Sequence, residues 1–227
     1  MDIFMTFLFV GISVIVLTYI PIIGPYLSIF HTLVHESGHA LAAVVTGGKV
    51  KSISLFKNTE GLAATSNHKF GLFITSIAGY PFASVIAVLI MYVIRNEWYS
   101  GLGIVLLIFL TLSLVFWVRN SFGVFWIISM FIMAYFLWSH DANQVIAYIL
   151  TGFGFILLVQ AMISCCQVFI ISIKSPESAG DASILARLTY VPASFWGFLF
   201  LIQGLLFFVL GCAVWLGYNP FLNTIMN

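Results

Sequence analysis

The sequence predicts an all-α polytopic membrane protein with about seven transmembrane helices and a short β-hairpin at the cytosolic face. Three observations carry this expectation. Only 7% of the 227 residues are charged and 62% are hydrophobic, whereas a soluble domain carries about 25% charged residues. So few charges cannot cover a water-facing surface. The apolar residues fall into seven runs long enough to approach a ~30 Å hydrocarbon core, and mean hydropathy is +1.14. Finally, the longest polar stretch contains an alternating segment, Lys51-Ser52-Ile53-Ser54-Leu55, the period-2 pattern of a strand.

Taken in order, the first span covers about Ile3 to Ile20, and Pro21, Gly24 and Pro25 make a tight connection. The start, Met1-Asp2-Ile3-Phe4, lacks the basic region of a signal peptide, so this run is expected to be retained. The second span runs from about Tyr26 to Val45 and ends at Thr46-Gly47-Gly48. Lys49 to Lys69 is polar. Its alternating segment, the turn-like Lys57-Asn58-Thr59-Glu60-Gly61 and the returning Leu62-Ala63-Ala64-Thr65 predict the hairpin.

The third span covers Phe70 to Ile94, interrupted at Gly79-Tyr80-Pro81. The fourth runs from Leu102 to Val118, the fifth from Phe122 to Trp138 and the sixth from Val145 to Ile173. A second polar stretch, Lys174 to Arg187, leads to the last span, Ser194 to Leu216. Gly152, Gly154, Gly197 and Gly204 are expected at close helix contacts. Residues 1–227 read as one integral membrane domain, with no internal repeat.

Charge placement sets the orientation. Seven spans leave Lys49, Lys51, Lys57, Lys69, Arg119, Lys174 and Arg187 on one side and only Arg95 on the other. Basic residues concentrate on the cytosolic side. The N-terminus and both long polar stretches are then cytosolic, and Tyr218 to Asn227 lies on the far side. The formal net charge of +1 points to no nucleic-acid partner. Cys165, Cys166 and Cys212 lie in apolar runs without zinc-ligand spacing and read as buried hydrophobes.

The second span carries His35-Glu36-Ser37-Gly38-His39. On a helix, histidines four apart share one face and can bind one zinc ion. Glu36 lies roughly 100° around the helix, placed to take a proton from a zinc-bound water whose pKa falls to ~7. Ionisable residues within a span are costly and mark function. His39 lies seven residues before Thr46, about 10 Å from the cytosolic end, so the site opens towards the cytosol.

Catalytic zinc usually takes three protein ligands and a water. The best candidate for the third ligand is Asp181, in the cytosolic Gly180-Asp181-Ala182 segment. A solvated charge or a helix cap would also account for it. Glu177 is a rival, and Asp141 falls on the wrong side.

The motif within a span, the polar hairpin after it and the late Asp181 resemble the site-2 protease family of intramembrane zinc metalloproteases, most closely its peptidase M50B-like branch. The resemblance implies that Glu36 is the base and that His35, His39 and Asp181 bind zinc. It also implies that the substrate is a membrane-spanning protein. The family's usual Leu-Asp-Gly is Gly180-Asp181-Ala182 here, and its later Asn has only Ser84 as a counterpart, which would stabilise an oxyanion. His31, one turn before His35, fits a group that donates to substrate or supports a ligand, or an interfacial histidine.

The expected function is an intramembrane zinc metalloendopeptidase of a multi-pass, bacterial-type cytoplasmic membrane protein. It would hydrolyse a peptide bond in or near the transmembrane segment of a membrane-protein substrate. The hairpin's strand edge could hold such a substrate extended. The alternatives are an inactive family member that binds partner spans and an ion-coupled transporter.

Overall fold

The computed structural model describes residues 3–218, so the expectation for residues 219–227 lies outside the described residues. Helix α1 spans Ile3–Tyr19 and α2 spans Ile23–Val45. Strands β1, Lys49–Leu55, and β2, Gly61–Ser66, follow. Next come α3, Lys69–Arg95, α4, Tyr99–Phe116, α5, Ser121–Ser139, and α6, Asn143–Lys174. A 3₁₀ turn at Pro176–Ser178 leads to the short α7, Asp181–Thr189, and to α8, Ala193–Trp215. The fold is helical and polytopic, as the composition predicts.

The span count comes close to the expected seven. α3, α4, α5, α6 and α8 are each long and apolar enough to cross a membrane. The first two predicted spans form a pair bent by 104°, and counting that pair as one broken or re-entrant span gives six among the described residues. The reason lies in α2, whose three histidines, glutamate and small polar residues dilute its hydropathy. The basic residues alternate between connections after α2, so the seven-to-one split stands. The side of the N-terminus depends on the α1–α2 bend alone.

A correction concerns Gly79-Tyr80-Pro81. α3 runs through them without a break, with Pro81 inside it. Neighbouring helices make such a proline tolerable in a membrane helix.

Helices α2, α3, α6 and α8 form the packed centre, with α3 against all three others. α8 lies on α6 along Gly197, Gly204 and Gly211, where a Cβ would come within 2.3 Å of Ser172, 2.7 Å of Cys165 and 2.6 Å of Leu158. Gly154 likewise meets Ile94 and Ile90 of α3, whereas Gly152 faces open space. α4 and α5 are peripheral. With α6 they enclose a cavity of about 450 Å³ lined by Leu110, Met130, Leu150 and Phe153. Large apolar side chains such as Val105, Ile108, Phe116, Phe125 and Ile132 remain exposed on them, as lipid-facing residues should.

The hairpin forms as expected, antiparallel, with Ile53 opposite Ala63 and Leu55 opposite Gly61. The α4–α5 connection adds a third rail to β1. The Ile53 N–H donates to the Trp117 carbonyl at 2.7 Å, and the Arg119 N–H donates to the Ile53 carbonyl at 3.2 Å. The Asn120 side chain then accepts from the Leu55 N–H at 3.0 Å and donates to the Leu55 carbonyl at 2.5 Å. Arg119 in turn donates to the last carbonyls of α4, including Val115 at 2.8 Å and Phe116 at 3.0 Å. The outer edge of β1 is thus closed.

Candidate metal centre

α2 and α3 cross where small residues let them touch. Gly38 faces Phe82, whose Cβ would lie 2.7 Å from an added methyl. Gly79 of α3 is pressed against the motif itself. A Cβ there would stand 2.6 Å from His35 Cε1, 2.6 Å from His39 Nε2 and 2.7 Å from His35 Nε2. The two imidazoles therefore rest on bare backbone.

Their orientation follows from specific contacts. His39 Nδ1–H donates to the Thr75 carbonyl of α3 at 2.7 Å, which leaves Nε2 with its lone pair free. The rings of His35 and His39 meet edge to face, with centroids 4.7 Å apart. His35 also packs edge-on against Tyr80 at 4.6 Å. Its Nδ1 is buried with no hydrogen-bond partner among the described residues.

Asp181 arrives from the other end of the chain. It is the first residue of α7, and Gly180 at φ 55° holds the N-cap position before it. Asp181 therefore stands one residue past the cap, and its side chain is turned to His35 and His39 instead. Ser183 pins the turn before it, accepting from the Ala179 N–H at 2.8 Å and donating to the Pro176 carbonyl at 2.5 Å. Ala182 and Leu185 bury against Val168, Ala193 and Phe200. α7 is therefore anchored by its apolar face, and Asp181 points at the motif.

Three donor atoms converge. His35 Nε2 and His39 Nε2 are 3.1 Å apart. Asp181 Oδ2 is 3.6 Å from the first and 3.3 Å from the second. Ligands at the ~2.0–2.2 Å bond lengths of a tetrahedral zinc lie about 3.3–3.5 Å from one another. The set thus fits zinc in both chemistry and spacing, and His35, His39 and Asp181 are the group among the described residues that could hold a metal. Burial alone would raise the Asp181 carboxyl, but the imidazoles of His39 and His35 outweigh it and hold it below the usual carboxylate range.

This geometry coincides with a family match. A family model described as peptidase M50B-like matches residues 8–211. The chain belongs to that family. It is an integral membrane protein of a membrane metalloprotease family. Neither the comparison with curated proteins nor that with solved structures gives a match.

In this M50B-like chain Glu36 is buried beside the cluster and abuts the hairpin. A Cβ on Gly61 would lie 2.5 Å from Glu36 Oε1 and 2.6 Å from Thr32 Cγ2. Thr32 Oγ1 donates to the Thr59 carbonyl at 2.8 Å, tying the turn to α2. The backbone N–H of Ala63 is directed at the Glu36 carboxylate. This follows from the ladder. Ile53 and Leu55 spend their backbone groups on the α4–α5 connection, so Ala63 and Gly61 opposite them turn theirs to the free edge of β2. That edge faces the glutamate.

The other predicted residues lie as follows. His31 Nε2 is 3.4 Å from Ser164 Oγ of α6, and its ring is 6.1 Å from that of His35. Ser84 Oγ accepts from Gln203 Nε2 of α8 at 2.8 Å. Glu177 is exposed in the 3₁₀ turn. Thr75, Gly79 and Tyr80 were not singled out as functional by the sequence. A glycine two residues before a proline in an apolar run signals a kink, not a seat for two imidazoles.

Proposed function

We propose that the chain is an active intramembrane zinc endopeptidase that cleaves a membrane-protein substrate in or near its transmembrane segment. The observation that carries this reading is the joint placement of His35, His39 and Asp181 around one point with Glu36 beside it, held against the β2 edge by the Ala63 N–H. His35, His39 and Asp181 would hold the metal. When bound, zinc acts as a Lewis acid and lowers the pKa of water to ~7.

The chain's own residues do the rest. An unwound substrate segment pairs with β2 as an added strand, taking over the Ala63 N–H that is otherwise directed at Glu36. A helical segment hides its peptide bonds in its own hydrogen bonds, so this pairing presents one of them. Glu36 takes the proton of the attacking water and hands it to the leaving nitrogen. Burial among α2, α3 and α7 keeps bulk water away from the carboxylate. The basic residues after α2 set the hairpin and α7 on the cytosolic side, in a bacterial-type cytoplasmic membrane.

The test is purification, zinc analysis and incubation with a labelled single-span peptide. Wild type should bind about one zinc and cleave. Glu36→Gln should keep the zinc and the fold but lose cleavage, because an amide cannot accept the proton. Zinc binding without cleavage by wild type would favour the non-catalytic reading, a member that binds partner spans. Undiminished cleavage by Glu36→Gln would remove the enzymatic assignment.

A further inference from the structure

We propose that Tyr80 is a catalytic residue whose phenolic O–H donates a hydrogen bond to the oxyanion formed on the substrate carbonyl. The proposal rests on the hydrolase reading above. Attack on a peptide carbonyl moves a full negative charge onto its oxygen, and a preoriented donor in a water-poor site stabilises that charge strongly. The catalytic groups already described include no such side-chain donor. Glu36 is an acceptor during attack, and the Ser84 hydroxyl is engaged by Gln203.

Tyr80 has the required placement. It follows Gly79, the residue on which both imidazoles rest. Its ring stands at 75° to the His35 ring with centroids 4.6 Å apart, and it packs on Phe200 of α8 at 4.5 Å. These two contacts fix the ring on both sides. The His35 ring on which Tyr80 packs carries the Nε2 that lies 3.6 Å from Asp181 Oδ2, so the phenol stands beside the donor cluster. Its hydroxyl makes no hydrogen bond to another described residue. Its oxygen is not among the buried side-chain atoms left without a partner, so it keeps some exposure and a substrate carbonyl can reach it.

The step balances without another reactant. The water oxygen bonds to the carbonyl carbon and the C=O π pair moves to the carbonyl oxygen. Tyr80 donates to that oxygen and keeps its proton throughout. Glu36 carries the water proton to the amide nitrogen, the C–N bond breaks with its pair on nitrogen, and the carbonyl re-forms.

Tyr80→Phe is the discriminating variant, because it keeps the ring that packs on His35 and Phe200. Zinc content, thermal midpoint and KM for the labelled single-span peptide should match wild type. kcat should fall about 10²–10³-fold, as on loss of one oxyanion donor. A kcat within twofold of wild type, or a loss of zinc or stability that accounts for the fall, would overturn the assignment. An inactive, zinc-loaded wild type would defeat the hydrolase reading itself and this inference with it. An active wild type with an equally active Tyr80→Phe would defeat the inference alone.

Discussion

Adding one methyl at Gly79 separates the metal centre from the fold that supports it. The Cβ of Gly79→Ala would meet His35 Cε1 and His39 Nε2 at 2.6 Å, well inside contact distance, so the rings must move. His39 cannot swing freely, because its Nδ1–H is spent on Thr75 at 2.7 Å. Breaking that bond costs about 1 kcal/mol. His35 is backed by Tyr80 at 4.6 Å. Overpacking costs typically ~1–3 kcal/mol. Against it, alanine is better than glycine within a helix by about 0.8–1 kcal/mol. The gain offsets only part of this cost, leaving about 1–3 kcal/mol, so the thermal midpoint of the zinc-free protein should fall by about 2–4 °C for each kcal/mol. Zinc affinity has no such offset. It should fall about 10–100-fold, the usual cost of disturbing groups that orient metal ligands. Competition with a fluorescent zinc chelator measures it. Gly152→Ala serves as control, since its Cβ meets nothing within 4 Å, and it should leave zinc affinity unchanged. Wild-type zinc affinity in Gly79→Ala would refute the reasoning, because it would mean that the imidazoles do not rest on α3.

Three further outcomes follow from the same geometry. Asp181→Ala should lower zinc occupancy and leave the helices inserted, while Glu177→Ala, altering an exposed residue, should not; metal analysis of both decides between them. A cysteine placed at Lys57, in the turn between β1 and β2, should react with an impermeant maleimide from the cytosolic side of sealed vesicles, and labelling from the other side would contradict the orientation. Asn120→Ala should strip both backbone partners from Leu55, at about 1–3 kcal/mol for the groups left unsatisfied. Its measure is faster amide hydrogen exchange at Leu55 and Ile53, and unchanged exchange there would count against the third rail.

What was legible in the chain was what is local. His35, Glu36 and His39 are set by one helical period, and the hairpin by alternation and its turn. Asp181 was legible only as to its side of the membrane. Its aim depends on α7, which reads as a polar connection because its nine residues include both Asp181 and Arg187. The buried face of Ala182 and Leu185 is too short to show periodicity. Gly79 and Tyr80 matter through the way α3 lies across α2, and one sequence does not reveal which face of an all-apolar helix meets its neighbour. The span count differs from the expected seven only at α1 and α2, where the polar residues that build the centre lower the hydropathy of α2.

The closed outer edge of β1 has a consequence for traffic at the membrane surface. A two-stranded ribbon normally offers two unpaired sides, and either can capture any extended chain, including a second copy of itself. Here Trp117, Arg119 and Asn120 occupy one side. Of the ribbon's two sides, only that of β2 is left unpaired by another backbone segment, and it faces Glu36. If the sheet captures substrate as proposed, capture and delivery to the carboxylate would be the same event.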